Sequence, residues 1–453
     1  MHPAGGGMNR SVGIDDLAVY IPKLFLSTIG EFARDRGQDP EKLKRGIGIE
    51  RIAIPDVHED AATMAANAIL SLIRRNALDP RAIGRIYIGT ESGVDEAKAI
   101  GTYVIGMLEQ VLGKGSLEEC ATIELKSACI GASFALQELR AWMLLEDSGT
   151  VGIAVGSDIA KYDLNTPGEY TQGAGSVALL VKSDPRLIAL DGVVGHITRD
   201  EDDFFRPLGN KTAHVNGKHS TDCYMSAIAG AFSSFSRKAL IGGPISAQEG
   251  QALVDRFDHL LFHIPFPGMV EYAAADLLMN EWRGTPCWRE VTNEIGPEPD
   301  RRSFADDDEY AAAARDYSRR FRKSGLFLNA FRSKVEPSTL ISRQVGNIYT
   351  GSLYLGLASL HDSGLLLPGE SVAFGSYGSG CSAMFFSGTV SERARSIPSG
   401  RIMERIEARR SLLLSEYEEL HKGIRKESII QPAKEFALDR IDHLGYRHYS
   451  YHS

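Results

Sequence analysis

Cysteine is scarce and unpaired in this chain: Cys120, Cys129, Cys223, Cys287 and Cys381 are spread over 453 residues with no C-x-x-C spacing. An odd number so dilute excludes a disulfide framework and favours reduced thiols in a cytoplasmic setting. Positive charge is not in excess either, since 50 Lys and Arg stand against 59 Asp and Glu for a formal charge of −9. No net field therefore draws the chain to nucleic acid or to an anionic membrane. No apolar run approaches the roughly 20 residues that span a bilayer. The Gly-rich start, Met1 to Arg10, lacks the charged-then-apolar order of a secretory leader, and Met8 offers a second start. Cofactor signatures are missing too: there is no G-x-x-x-x-G-K-S/T, no strand-borne G-x-G-x-x-G, no H-E-x-x-H and no G-x-S-x-G. NTPase, dinucleotide oxidoreductase, zinc protease and serine hydrolase readings lose ground accordingly. What is present, 43% hydrophobic and 24% charged residues, suffices for a large core.

From Gly13 to about Asp191, short apolar runs alternate with longer amphipathic ones, the pattern of a helix-covered, buried sheet, so the class is α/β. IGRIYIGT (Ile83–Thr90) reads as a strand that delivers Glu91 to its C-terminal end. ATIEL (Ala121–Leu125) reads as another, and the helix expected after it, from Cys129 to Leu144, puts Cys129 near a helix start. The second half repeats the device: LLFH (Leu260–His263) carries His263 at a strand end, with a helix over Met269–Trp282. Asn347–Leu360 reads as helical, and Glu370–Val390 as two strands joined by a Gly-rich turn at Gly375–Gly380. Charged residues 284–344 read as an exposed insertion in the second half. The expected organisation is a disordered start (1–10), a first half (11–215), a second half (216–395) and a helical extension (396–453). The tail histidines His443, His448 and His452 match no standard metal spacing, so no metal site is expected.

A Cys near a helix start can gain thiolate character from the helix dipole, and nearby N–H groups can hold the oxyanion of a thioester carbonyl, chemistry that suits acyl transfer. Each residue alone also has an ordinary structural reading: Cys129 as a packed core thiol, His263 as a core histidine bonded to backbone, Glu91 as a surface carboxylate, Asn347 as a helix cap.

Together these residues lie in GTESGVD (Gly89–Asp95), ELKSACIGAS (Glu124–Ser133), GSDIAKYDLNTPGEYTQGAGSVALL (Gly156–Leu180), DDFFRP (Asp202–Pro207), FHIPF (Phe262–Phe266), VGNIYTGSLYLGLASL (Val345–Leu360) and FGSYGSGC (Phe374–Cys381). In order and content these segments resemble the 3-hydroxy-3-methylglutaryl-CoA synthases of the thiolase superfamily, over most of residues 10 to 390. The resemblance implies a five-layer αβαβα sandwich of two similar halves, normally a homodimer, that condenses an acetyl thioester with a β-ketoacyl thioester such as acetoacetyl-CoA. It implies Cys129 as the acetylated nucleophile and Glu91 as the general base and acid. His263 and Asn347 match the groups that polarise the acceptor ketone, and backbone N–H groups of Cys129 and of the Gly378–Gly380 turn, Ser379 included, would hold the thioester oxygen. Asp158, Tyr162 and Asp203 fall on supporting positions. No cofactor is implied beyond CoA or phosphopantetheine thioesters as substrates.

One departure bears on the carrier. Family members that use CoA typically carry lysines after the histidine, in a pattern like H-x-P-F-x-K-M-x-x-K; here Gly268 and Glu271 stand near those positions. A similar Gly-Met occurs in polyketide β-branching members, which take acyl groups from acyl carrier proteins. GEYTQGAG and NIYTGSLYL instead look closer to the mevalonate-pathway enzymes of isoprenoid biosynthesis. Both carriers therefore stay open, as does replacement of the lysines by a basic residue from the insertion. A ketoacyl synthase or thiolase is disfavoured by Glu91, and a non-catalytic carrier-protein-binding homologue by the presence of Glu91, Cys129, His263 and Asn347 together.

Overall fold

Asp60 fixes where the first long helix begins: its carboxylate accepts the Thr63 N–H at 2.8 Å, and the Thr63 hydroxyl accepts the Asp60 N–H at 2.8 Å, a reciprocal cap. In the computed structural model, which describes residues 11–146, 149–242 and 251–453, that helix belongs to a βα repeat. The expectation for residues 1–10 lies outside the described residues. The first half runs β1 (Val12–Tyr20), α1 (Ala61–Arg75), β2 (Ile83–Gly89), α2 (Ile100–Leu112), β3 (Ala121–Leu125), α3 (Gly131–Leu145), β4 (Val151–Ala160) and β5 (Gly173–Ser183). Its lateral order is β3-β2-β4-β5-β1, with β2 parallel to β3 and β4, and β5 antiparallel to both its neighbours.

The second half runs β6 (Ile188–Thr198), α4 (Gly217–Gly242), β7 (His259–Phe262), α5 (Pro267–Trp282), α6 (Ser352–Asp362), β8 (Ser371–Gly378) and β9 (Ser382–Val390). The order β7-β8-β9-β6 repeats that of the first half without its third strand. β6 pairs with β9 from Ile188↔Val390 to Thr198↔Ser382, and it touches β1 only at Gly13↔Ala189 and Ile14↔Ile188, the seam that makes one nine-stranded sheet. The division between halves thus falls between Ser183 and Ile188, earlier than the 215/216 expected, because β6 is the first strand of the second half.

Three apolar cores give the layering. Ala135, Leu136 and Leu139 of α3 pack with Leu353, Leu357 and Leu360 of α6 and with Val177, Leu179, Phe374 and Phe386 from the strands. On the far side of the first-half strands, Ile69 and Leu72 of α1 and Val104 and Leu108 of α2 cover Ile86, Ile153 and Leu180. On the far side of the second-half strands, Phe232 and Phe235 of α4 and Val270 and Leu277 of α5 cover Leu260, Phe262 and Phe385. Strands clad on both faces explain why β5 is buried continuously rather than alternately. The expected αβαβα sandwich is what the chain forms.

Two peripheral expectations need correction. Residues 284–344 form helices Pro286–Ile295, Asp307–Phe321 and Gly325–Lys334, placed in the chain where the missing third strand would fall. They are not merely a solvated surface: Tyr317, Phe321, Phe327 and Phe331 are buried. Within each of the last two helices the pair is four residues apart, an apolar face that the intervening charges hide in the linear sequence. The 396–453 extension has helices Ile402–Glu407 and Leu414–Lys422 but ends in a hairpin of β10 (Glu435–Ile441) and β11 (Arg447–His452), where Phe436 enters the core under α1. His448 and His452 there face Asp442 and Asp439 at 3.0 and 2.8 Å. Among the described residues no helix is long and apolar enough to cross a membrane.

Candidate active site

Where β2 and β3 end side by side, two of the expected site residues meet: the Cys129 thiol donates to Glu91 Oε1 at 3.0 Å. Cys129 lies in the loop between β3 and α3, after Ala128, which is held at φ 46°. A left-handed non-glycine residue costs about 1–2 kcal/mol and persists only where its surroundings dictate it. The helix starts at Gly131, two residues later than expected. Burial, and then the Glu91 carboxylate, push the Cys129 thiol well up, so the resting sulfur is a neutral thiol rather than the dipole-stabilised thiolate expected from the sequence. Glu91 is also buried; desolvation and then the Asp158 charge raise it to about 7.

Asp158, at zero exposure on β4, anchors this pair. Its Oδ1 accepts from the Glu91 N–H at 2.7 Å, the Ser92 hydroxyl at 2.9 Å and the Thr90 hydroxyl at 3.0 Å. Its Oδ2 accepts from the Thr350 N–H at 3.1 Å and from the Thr350 hydroxyl. One carboxylate therefore ties Glu91 to the segment entering α6, across the two halves. Arg206 donates to the Glu91 carbonyl oxygen.

The second half contributes His263, one residue past β7. Its main chain is satisfied, with the N–H on Gly375 O at 2.8 Å and the carbonyl accepting from the Tyr224 hydroxyl at 2.7 Å. Its ring is different: Nδ1 is buried with no hydrogen-bond partner among the described residues. Burial lowers the imidazole to about 3, so it is neutral at physiological pH. The tautomer with its proton on Nε2 avoids burying an unpaired donor. Asn347 uses its Oδ1 to accept from the Tyr349 N–H and the Ser352 hydroxyl, both at 2.8 Å, which is a capping role as well as a fixed orientation. That leaves its NH2 as the available donor.

Asp203, fully buried, accepts the Tyr377 hydroxyl at 2.6 Å and the Gly380 N–H at 2.8 Å. Strand β8 continues through Gly378, so the turn is Ser379–Cys381 rather than Gly375–Gly380. With Gly380 committed to Asp203, its N–H is not an oxyanion donor, and that of Ser379 becomes the one to consider. Gly378 brings the turn onto the nucleophile loop: a Cβ there would stand 2.8 Å from Ser127 O and 2.9 Å from Ile130 N. Tyr377 also links the turn to His263, their ring centroids 6.4 Å apart. Tyr162 is buried edge-on to Tyr349, centroids 6.5 Å apart, in a small cluster against Cys129. Burial raises its phenol.

The site also takes in Thr350, Arg206, Tyr377 and Tyr349. Each lies within a quoted segment, and none carries a spacing signal of its own. Gly268 has a packing cause: a Cβ would fall 2.0 Å from Gly46 O, and its N–H donates to Ile47 O at 3.1 Å. No lysine fits there, whatever carries the substrate. Glu271 faces Arg322 of the insertion, Nε to Oε1 3.5 Å, and Arg322 lies over the Tyr272 ring at 4.1 Å.

A buried thiol bonded to a carboxylate of raised pKa, beside fixed amide donors and a neutral imidazole, suits acyl transfer and carbon-acid chemistry. Comparison with known proteins points the same way. The family described as hydroxymethylglutaryl-coenzyme A synthase, N terminal, matches residues 8–185, and its C-terminal counterpart matches residues 188–446. The hydroxymethylglutaryl-CoA synthase of Haloferax volcanii is 34% identical over 453 residues, covering 97% of this chain and 99% of that protein. Among solved structures, MvaS in complex with 3-hydroxy-3-methylglutaryl coenzyme A superposes with a TM-score of 0.85 at 32% identity, over 98% of this chain and 100% of that one. The HMG synthase of the curacin biosynthetic pathway, in complex with apo donor-ACP, does so with a TM-score of 0.76 at 25% identity, over 97% and 100%.

Proposed function

Since this chain belongs to the hydroxymethylglutaryl-CoA synthase family, we propose that Cys129, Glu91 and His263 carry out its reaction in three steps. The enzyme is an acyltransferase that forms a carbon–carbon bond, condensing acetyl-CoA with acetoacetyl-CoA. In the first step Cys129 Sγ attacks the acetyl carbonyl. The thiol proton passes to Glu91 Oε1, 3.0 Å away, and on to the departing CoA thiolate. The N–H groups of Cys129 and Ser379 face the thioester oxygen. In the second step Glu91 removes a methyl proton from the acetyl-enzyme. An acetyl methyl is a very weak acid, so the base must be close, and a carboxylate raised to about 7 is a stronger base than an ordinary one while still about half ionised at neutral pH. The enolate carbon attacks the ketone, whose oxygen takes hydrogen bonds from neutral His263 and the Asn347 amide, with its proton returned by Glu91. In the third step water hydrolyses the Cys129 thioester and releases the product.

The observation that carries this reading is the Cys129–Glu91 contact at the meeting of two thiolase-like halves. The supporting groups hold positions: Asp158 and Asp203 fix the two loops, and Tyr162 closes the cluster beside the thiol. The route calls on no redox cofactor or metal ion, because the carboxylate and the amide donors supply the proton transfer and charge stabilisation. CoA is the carrier in this reading. Gly268 owes its identity to Gly46 rather than to carrier choice, and the fit and identity to the MvaS structure exceed those to the curacin synthase. Homodimeric assembly and a cytoplasmic setting complete it, the latter supported by five free cysteines.

Intact-protein mass spectrometry tests the proposal. Brief incubation with acetyl-CoA is expected to add one acetyl group, mapped to Cys129, and acetoacetyl-CoA is expected to discharge it as 3-hydroxy-3-methylglutaryl-CoA. Acetylation of Cys129→Ala to the parent level would overturn the assignment. Acetylation from an acetylated acyl carrier protein but not from acetyl-CoA would transfer the reading to β-branching.

A further inference from the structure

Beyond the catalytic centre, a second cluster of reactive side chains lies behind the Ser379–Cys381 turn. His219 and Cys223 are one helical turn apart on α4, the spacing that puts two side chains on one face. Glu201 approaches from the loop after β6. His219 Nε2 stands 3.4 Å from Glu201 Oε2 and 3.6 Å from Cys223 Sγ. One donor atom from each residue lies within 4.8 Å of the others, and among the described residues this is the one such group of three.

The two spacings measured from His219 Nε2 fit a metal shell. Zn–N and Zn–O bonds of about 2.0 Å and a Zn–S bond of about 2.3 Å, set at tetrahedral angles, hold their donor atoms about 3.3 to 3.6 Å apart. The donor set, one imidazole, one thiolate and one carboxylate, suits the softer borderline cations over magnesium or calcium, which take oxygen. Its two negative charges neutralise a divalent ion. Access is open from solvent, since the His219 and Glu201 side chains are 41% and 30% exposed while Cys223 forms the buried floor.

We propose that Glu201, His219 and Cys223 bind a thiophilic divalent cation of the zinc class, with water completing the shell. Binding exchanges the Cys223 thiol proton, released to solvent, for the metal–sulfur bond. The site lies outside the condensation chemistry yet is joined to it: the Glu201 N–H donates to Gly380 O at 2.8 Å, and the Gly380 N–H is held by Asp203. A bound cation fixes Glu201 and so stiffens the turn that carries Ser379.

Cobalt is the probe, added to the chelator-treated full-length protein and followed by its thiolate-to-metal charge-transfer absorption. The expected result is one equivalent of Co²⁺ with that band, displaced by Zn²⁺. The band is lost in Cys223→Ser. It is retained in Cys129→Ser and requires at least about tenfold more cobalt in His219→Ala, a half-exposed position outside the apolar core. Absence of the band from the parent, its survival in Cys223→Ser, or its loss in Cys129→Ser would overturn the proposal.

Discussion

Glu91 and His263 occupy matching places in the two halves, each just beyond the C-terminal end of the second central-sheet strand of its half, and the same burial moves them in opposite directions. The carboxyl rises to about 7 and the imidazole falls to about 3. Desolvation penalises the charged form of either, so an acid is pushed up and a base pushed down. A duplicated fold thus supplies one group that trades a proton near neutrality and one that stays an uncharged donor. The difference between halves is chemical at these strand ends and architectural beside them. The first half keeps a third strand, β3, which feeds the Cys129 loop, whereas the second half has helices there and brings only the capped Asn347.

The largest way to break this comparison is to remove the thiol proposed as nucleophile. Cys129→Ala is expected to form no acetyl-enzyme and to lose turnover by on the order of 10⁶, read by mass spectrometry and steady-state assay. Glu91→Gln comes next, with condensation falling by about 10²–10⁴; single-turnover experiments should show a smaller loss in acetylation, because a thiol acidifies far more readily than a methyl group. His263→Ala is expected to reduce condensation by roughly 10²–10³ while leaving acetylation near the parent rate. The smallest effect sharpens the electrostatics. The parent's acetylation rate should rise with pH through about 7, as Glu91 ionises. Asp158→Asn removes a negative charge that holds the Glu91 pKa up, so the limb is expected to move to lower pH; a limb displaced upward would mean that lost hydrogen bonds outweigh the charge.

The sequence made legible the layered α/β plan and the strand ends at which Glu91 and His263 stand, because strands buried on both faces write continuous apolar runs and these residues follow them directly. It did not reveal the state of Cys129. Proximity to a helix argued for a thiolate, whereas the structure surrounds the sulfur with Glu91, Asp158 and Asp203, charges contributed from separate segments of the chain. Asp203 shows the same limit: its hold on Gly380 N–H, which removes that donor from the oxyanion site, depends on a contact across 177 positions. Gly268 hints at a change of carrier in the sequence, whereas in the fold Gly46 O occupies the place of any Cβ there. The terminal hairpin was not legible either, because EFALDRI and RHYSYH carry no polar–apolar alternation and their burial does not alternate.

The central claim, that a raised Glu91 carboxylate rather than His263 is the titrating base, is tested most directly by the pH dependence of condensation on pre-acetylated protein. Acetylation removes the Cys129 hydrogen bond that lowers Glu91, so the limb is expected at or above about 7 and unchanged in position in His263→Ala. A limb that disappears in His263→Ala, or one that lies in the ordinary carboxylate range, would contradict it.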